Sequence, residues 1–384
     1  MEKIGLVLEG GGSKGAYQVG VLKALLENGY RFDAVTGTSI GALNGAILAQ
    51  DGLDRLEDFW REVKISSIFD VSEEIAEKLE NGVSRNVMVY ILLQVRNLKK
   101  FIDVNGEKME SYIKKRLDPV KLKNADMKVG CVTFCVSKMQ PVEKFVEDME
   151  EEYITDYFVA SATYPLYGFY KFNGERYFDG GIWDNCPVNL MASKGYKNII
   201  AIRTNDKPRK RKILYNDLNV TYITPSEDLG SMIDFFQHKI EKMKILGYYD
   251  GLRFVKKLQG VKYYIEPFEK SDFMTRFYDL PFVEMAREKV FAVVGKKYMG
   301  LRSILDDLGV GEDVSDDKAI LSILELYAMC LKIDRFQILS LEEFLKLIKE
   351  KASFDRKEFN RQTKDIKNSK LKKLIYYLAK YVKV

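Results

Sequence analysis

The sequence predicts an α/β fold, and three stretches carry that reading. Ile4–Glu9 is a largely apolar run that suits a buried parallel strand. Ala34–Thr36 looks like a second short buried strand, and Asn198–Arg203 like another. Between the first two, Ala16, Val19, Leu22, Leu25 and Leu26 recur at helical spacing, and Asn28-Gly29 supplies a helix stop.

The first strand runs straight into Gly10-Gly11-Gly12-Ser13-Lys14-Gly15. A glycine-rich loop between a strand and a helix N-terminus is an anion site, because loop N–H groups point outward and the helix dipole adds positive character. Gly10, Gly12 and Gly15 also fit the dinucleotide fingerprint, which requires an acidic residue after the second strand. Asp33 precedes that strand, so the fingerprint is incomplete. The other use of the loop is an oxyanion hole, which needs a nucleophile at the end of the neighbouring strand. Ser39 stands there, in Gly37-Thr38-Ser39-Ile40-Gly41, followed by small and helix-forming residues from Ala42 to Gln50. A serine between two glycines at a strand-to-helix turn is a nucleophile elbow, and the alternative is a tight turn with an incidental serine.

Leu53 to about Lys123 is charged and helix-rich. Its most apolar part, Val87–Val95, is either a core helix or a lid segment facing lipid. Met127–Val136 is expected as a long strand, paired in a hairpin with Pro141–Val146, and Ile154–Ala162 as a helix ended by Tyr164-Pro165. Asp179-Gly180-Gly181 follows an aromatic strand and puts one carboxylate on a tight turn, which a plain hairpin would also explain. The cluster Lys207–Lys212 is a solvated loop or an attractor of anionic head groups. Leu229 to about Leu258 reads as a long helix, and Lys262–Glu266 as a last strand. Beyond about Gly300 glycine nearly vanishes, and a helical region is expected over residues 301–384, after a first domain over residues 1–300.

Composition narrows the partners. The 384 residues carry 46% hydrophobic and 30% charged side chains, as an ordinary globular chain does, with a net charge of +5. That mild excess does not suggest a nucleic-acid binder and is compatible with an anionic membrane surface. No basic start precedes a long apolar run, so no secretory signal is expected. Cys131, Cys135, Cys186 and Cys330 have neither zinc spacing nor a disulfide framework, which points to packed, reduced thiols in a cytoplasmic protein.

A serine hydroxyl needs a base. The chain has one histidine, His238, within the expected long helix, whereas triad histidines generally sit on loops. A partly desolvated carboxylate can do the same work, and Asp179 is the best placed. With these pieces together the chain resembles the patatin-like phospholipases over about Lys3–Val290. The loop Gly10–Gly15, the elbow Gly37–Ala42 and the turn Asp179–Gly181 resemble that family's three motifs in order, and Ala160–Pro165 is also family-like.

The resemblance implies a three-layer α/β/α sandwich round a mainly parallel sheet, with no metal or cofactor. It implies a Ser39–Asp179 dyad cleaving acyl esters of lipids or phospholipids. Amides of Gly10, Gly11 and Gly12 would hold the oxyanion with support from Lys14, while Gly15, Gly37, Gly41, Gly180 and Gly181 shape the turns. Small soluble esters or thioesters as substrates, or a non-catalytic lipid-binding protein, are the alternatives. The C-terminal region resembles the helical extension of some bacterial members. In it Leu371, Leu374, Ile375, Leu378 and Val382 share one helix face, opposite lysines. That stripe either lies in a membrane interface, on the cytoplasmic side, or packs on the protein.

Overall fold

The computed structural model describes residues 3–68, 102–164, 168–206, 211–278 and 316–384. Val87–Val95, Pro165 and the cations at positions 207–210 lie outside them. The chain divides into two units, Met1–Gly251 and Leu252–Val384.

The first unit is built on an eight-stranded sheet. Its strands are β1 (Ile4–Leu8), β2 (Ala34–Thr38), β3 (Lys128–Cys135), β4 (Gln140–Phe145), β5 (Tyr170–Phe172), β6 (Glu175–Asp179), β7 (Asn198–Ile202) and β8 (Asn219–Ile223). β3, β2, β1, β7 and β8 run parallel in that spatial order. β4 and the β5–β6 hairpin add antiparallel pairs on β3. The inner parallel strands β1, β2, β3 and β7 are mostly buried on both faces, and helices cover both. The face bearing Ala34 and Val7 meets Met191 of the helix Val188–Ser193. The opposite face offers Val35 to α2 (Ile40–Glu62), where Gly45 lets the helix approach that side chain. The expected α/β sandwich with a mainly parallel sheet is therefore the observed fold.

α1 (Gly15–Glu27) is buried almost all round, because the helix Gln237–Lys256 crosses its outer side. The crossing is backbone-close: a Cβ on Gly20 would meet the Lys244 carbonyl, and one on Gly247 the Tyr17 carbonyl. The crossing helix begins at Gln237, not near Leu229 as expected, so His238 lies in its first turn and is exposed.

The arrangement of β3 positions the site. β2 pairs with Lys128–Val132 and β6 with Thr133–Cys135, while β4 overlaps both over Gly130–Cys135. A strand has two edges, so β4 occupies one, and β2 and β6 share the other. Thr38 faces Val132 and Asp179 faces Thr133, so two oppositely directed strands end against each other at adjacent positions.

The second unit has its own core around Tyr263, Phe273, Leu324, Tyr327, Phe344 and Ile375. The expected last strand near Lys262–Glu266 belongs here: Tyr264–Ile265 pairs in parallel with Ile338–Leu339. The division at residue 251 thus differs from the expected boundary at 300, because Tyr263 and Ile265 bury their side chains in this core. The buried Glu325 carboxylate accepts N–H bonds from Val261, Lys262 and Tyr263, which ties that strand to the helix Asp316–Cys330. In the last helix, Ser369–Tyr381, Leu371, Ile375 and Leu378 are buried in the same core, as is Val382 just beyond it, while Lys373, Lys380 and Lys383 are exposed. The packing reading of this stripe holds, and the interfacial reading does not. Each large side chain so buried stabilises by about 1.5–3 kcal/mol. Ending the chain at Asn368 should therefore lower the melting temperature steeply; an unchanged thermal transition would contradict this packing.

Candidate active site

The C-terminal ends of β1, β2 and β7 meet where the chain leaves β1 in both directions across the sheet. Open α/β sheets bind ligands at such a crevice. A cavity of 860 Å³ lies here, lined among others by Gly10, Gly11, Lys14, Ser39, Asp179 and Arg203.

Ser39 occupies a backbone conformation of φ 55° and ψ −128°, which is costly for any residue with a Cβ. Neighbouring groups hold it there. The Ser39 N–H donates to Ser161 Oγ at 3.0 Å, and that hydroxyl donates to the Val132 carbonyl at 2.7 Å. A Cβ on Gly41 would strike the Leu8 carbonyl, so the elbow can sit against β1 only with glycine there.

Asp179 ends β6 and is buried. Its N–H donates to the Thr163 carbonyl at 2.7 Å, and its Oδ1 accepts from the Gly181 N–H at 2.7 Å. The Ser39 hydroxyl is close enough to the same carboxylate to favour its ionised form. Burial pushes the Asp179 pKa up from 3.8 to about 6, against the opposing pull of the Ser39 hydroxyl and the Gly181 N–H. The carboxylate is thus ionised at neutral pH and more basic than an exposed one.

The glycine loop is clamped. The Gly10 N–H donates to the Asn185 carbonyl at 2.9 Å. The Gly10 carbonyl accepts from Thr204 Oγ1 at 2.6 Å and Asn185 Nδ2 at 3.1 Å. The Ser13 N–H donates to the Met232 carbonyl at 2.8 Å. Between these fixed points, the Gly11 and Gly12 amides have no hydrogen-bond partner among the described residues. Gly10, expected as a third open donor, is committed to Asn185. Gly12 has φ 58°, and a Cβ on it would meet the Met232 carbonyl. Lys14 reaches the cavity at the turn into α1.

Below the loop, buried Glu9 accepts from Arg203 at 3.0 Å and from the Thr204 N–H at 2.8 Å. This pair joins the ends of β1 and β7. Ser161, Asn185, Thr204 and Glu9 had no assigned role in the sequence reading. The one signal for Glu9 was a carboxylate ending an apolar strand. Cys186 lines the cavity, but burial pushes its thiol well up and keeps it neutral. All four cysteines are free. Among the described residues, no group of three or more His, Cys, Asp or Glu side chains is placed to hold a metal ion.

Fold and site together define an α/β domain that presents a serine elbow to a buried carboxylate at the C-terminal end of its sheet. Residues 6–192 match the family described as patatin-like phospholipase, so the chain carries a patatin-like phospholipase domain. Lysophospholipase NTE1 of Candida albicans is 27% identical over 217 residues, which are 56% of this chain and 14% of that protein. The protein of the same name from Eremothecium gossypii is 27% identical over 287 residues, 70% of this chain and 16% of that one. The chain thus spans less than a fifth of the length of these relatives. The crystal structure of VipD from Legionella pneumophila aligns with 100% of this chain and 94% of its own, at 14% identity and a TM-score of 0.44.

The burial of Asp179 has a consequence for stability. With its folded pKa above its ordinary value, its contribution is fully present below about pH 4 and is lost as pH rises through about 6. Above pH 6 the ionised group costs about 3 kcal/mol, to order of magnitude. Asp179→Asn should raise the melting temperature at pH 8 and leave it near the parent value at pH 4. Equal stability of the two proteins across that range would show that burial does not strain the carboxylate.

Proposed function

We propose that this chain hydrolyses fatty-acyl esters of phospholipids or lysophospholipids through Ser39 and Asp179. The observation that carries the proposal is the strained serine elbow set beside a buried carboxylate of raised pKa, where β2 and β6 end at adjacent positions of β3. Asp179 accepts the hydroxyl proton as Ser39 Oγ attacks the acyl carbonyl. The oxygen gains negative charge, and the N–H groups of Gly11 and Gly12 receive it. Lys14 adds positive charge at that end of the cavity. The intermediate collapses to an acyl-serine, and the departing glycerol oxygen takes the proton from Asp179. Water, deprotonated in turn by Asp179, then attacks the acyl group, and Ser39 Oγ leaves with the proton that Asp179 returns, which frees the fatty acid and restores the enzyme.

The domain's family and the relatives named lysophospholipase support a lipid ester as substrate. No described helix is long and apolar enough to cross a membrane. Free, packed thiols support a cytoplasmic setting, and contact with lipid is then peripheral.

Turnover of phospholipid vesicles and of a short-chain soluble ester tests the proposal. Ser39→Ala and Asp179→Asn should each lose about a thousandfold or more in kcat on both substrates. His238→Ala should keep nearly all activity, because its side chain is exposed on the first turn of its helix. A folded Ser39→Ala protein with near-normal turnover would end the proposal, and so would equal losses from His238→Ala.

A further inference from the structure

Large apolar side chains gather at the cavity mouth. Fifteen are exposed among the described residues, and six of them line this one cavity. Ile182 and Trp183, 56% and 45% exposed, sit on the turn after Asp179. Ile213 and Met232 stand on two other segments around the opening. Leu214, 66% exposed, and Tyr215 follow Ile213 directly. Exposed apolar groups scattered singly need no explanation, but a cluster round one opening marks an interaction surface.

The segment bearing Ile213–Tyr215 is not loose. Buried Asn189 donates to the Lys212 carbonyl at 3.0 Å and accepts from the Leu214 N–H at 2.9 Å. The backbone is pinned inward while the side chains are presented outward. Trp183 is also held, with the Arg211 guanidinium 4.8 Å from its ring centre and paired with Asp184 and Glu143. Lys14 in the mouth and Lys212 beside Ile213 have no carboxylate within ion-pair distance among the described residues. Rigid apolar and aromatic side chains, rimmed by uncompensated lysines and opening on an ester-cleaving site, match the layered chemistry of a lipid surface. Acyl chains receive the apolar groups, the head-group level suits Trp and Tyr, and anionic head groups attract the lysines.

We infer that the rim formed by Ile182, Trp183, Ile213, Leu214, Tyr215 and Met232 is the face by which this protein docks on an anionic phospholipid bilayer. The cavity mouth then opens directly onto the lipid. The inference rests on the proposed lipid substrate. It also moves membrane contact from the last helix, whose apolar face is buried, to the active-site mouth.

The chain carries its own reporter. It has two tryptophans, Trp60, which is fully buried, and Trp183 on the rim. Ser39→Ala protein would be mixed with vesicles of phosphatidylglycerol and phosphatidylcholine carrying brominated acyl chains. The expected result is a shift of Trp183 emission to shorter wavelength with quenching, both absent in Trp183→Phe. Leu214→Glu/Tyr215→Glu should weaken vesicle binding about tenfold or more. In the Ser39-intact protein it should spare turnover of a soluble ester. Vesicle binding without quenching of Trp183, or no binding, would overturn the inference, as would full binding by a folded Leu214→Glu/Tyr215→Glu protein. A rim that joins two copies of the chain, read as a doubling of mass abolished by that double variant, would overturn it too. Soluble-ester turnover by the parent reads the hydrolase proposal separately, so either can fail alone.

Discussion

Two strands that end against each other on one edge of β3 set the geometry on which the site depends. β2 delivers Ser39 from one direction and β6 delivers Asp179 from the other, at adjacent positions of the same neighbour. Their meeting needs no flexible loop, because Asp179 is itself a ladder residue and Ser39 directly follows Thr38, the last one of β2. Ser161 reinforces the junction by bonding both to β3, through the Val132 carbonyl, and to the Ser39 N–H. A site carried on rigid elements needs little reorganisation when charge moves.

The same junction concentrates unfavourable features. Ser39 has a left-handed φ, Asp179 carries charge in a buried place, and two loop amides lack partners among the described residues. Each is destabilising alone, and each is what the proposed ester cleavage would require: an exposed nucleophile, a stronger base and unpaired donors. The surrounding structure offsets them with the Glu9–Arg203 pair, the double clamp on Gly10 and the close crossing at Gly20 and Gly247. Strain of this kind persists only where its neighbours over-determine the backbone.

Three features of the site were legible in the sequence because backbone geometry restricts the residue type. Gly12 has a positive φ, Gly41 lies against a carbonyl, and Gly180 has no room for a Cβ beside Val132. Ser161, Asn185 and Thr204 were not legible as site residues, since their partners are backbone atoms more than a hundred positions away. Only the register of β3 and the order of β1 and β7 bring them in. The last helix was ambiguous for another reason: an apolar stripe opposite lysines is the same pattern whether it packs on protein or on lipid. Burial of Ile375 and Val382 decides it. The strand at Tyr264–Ile265 was recognisable, but its partner at Ile338–Leu339 was not, which shifted the division of the chain.

The central claim is that Asp179 acts directly as the base for Ser39. The most direct measurement is the rate at which a fluorophosphonate labels the protein as a function of pH, with the labelled residue identified by peptide mass. The account predicts label on Ser39, at a rate that rises through about pH 6 and levels above it, as Asp179 ionises. It also predicts near-complete loss of labelling in folded Asp179→Asn protein. Label on another residue, or a rate that does not change between about pH 4 and pH 8, would contradict it.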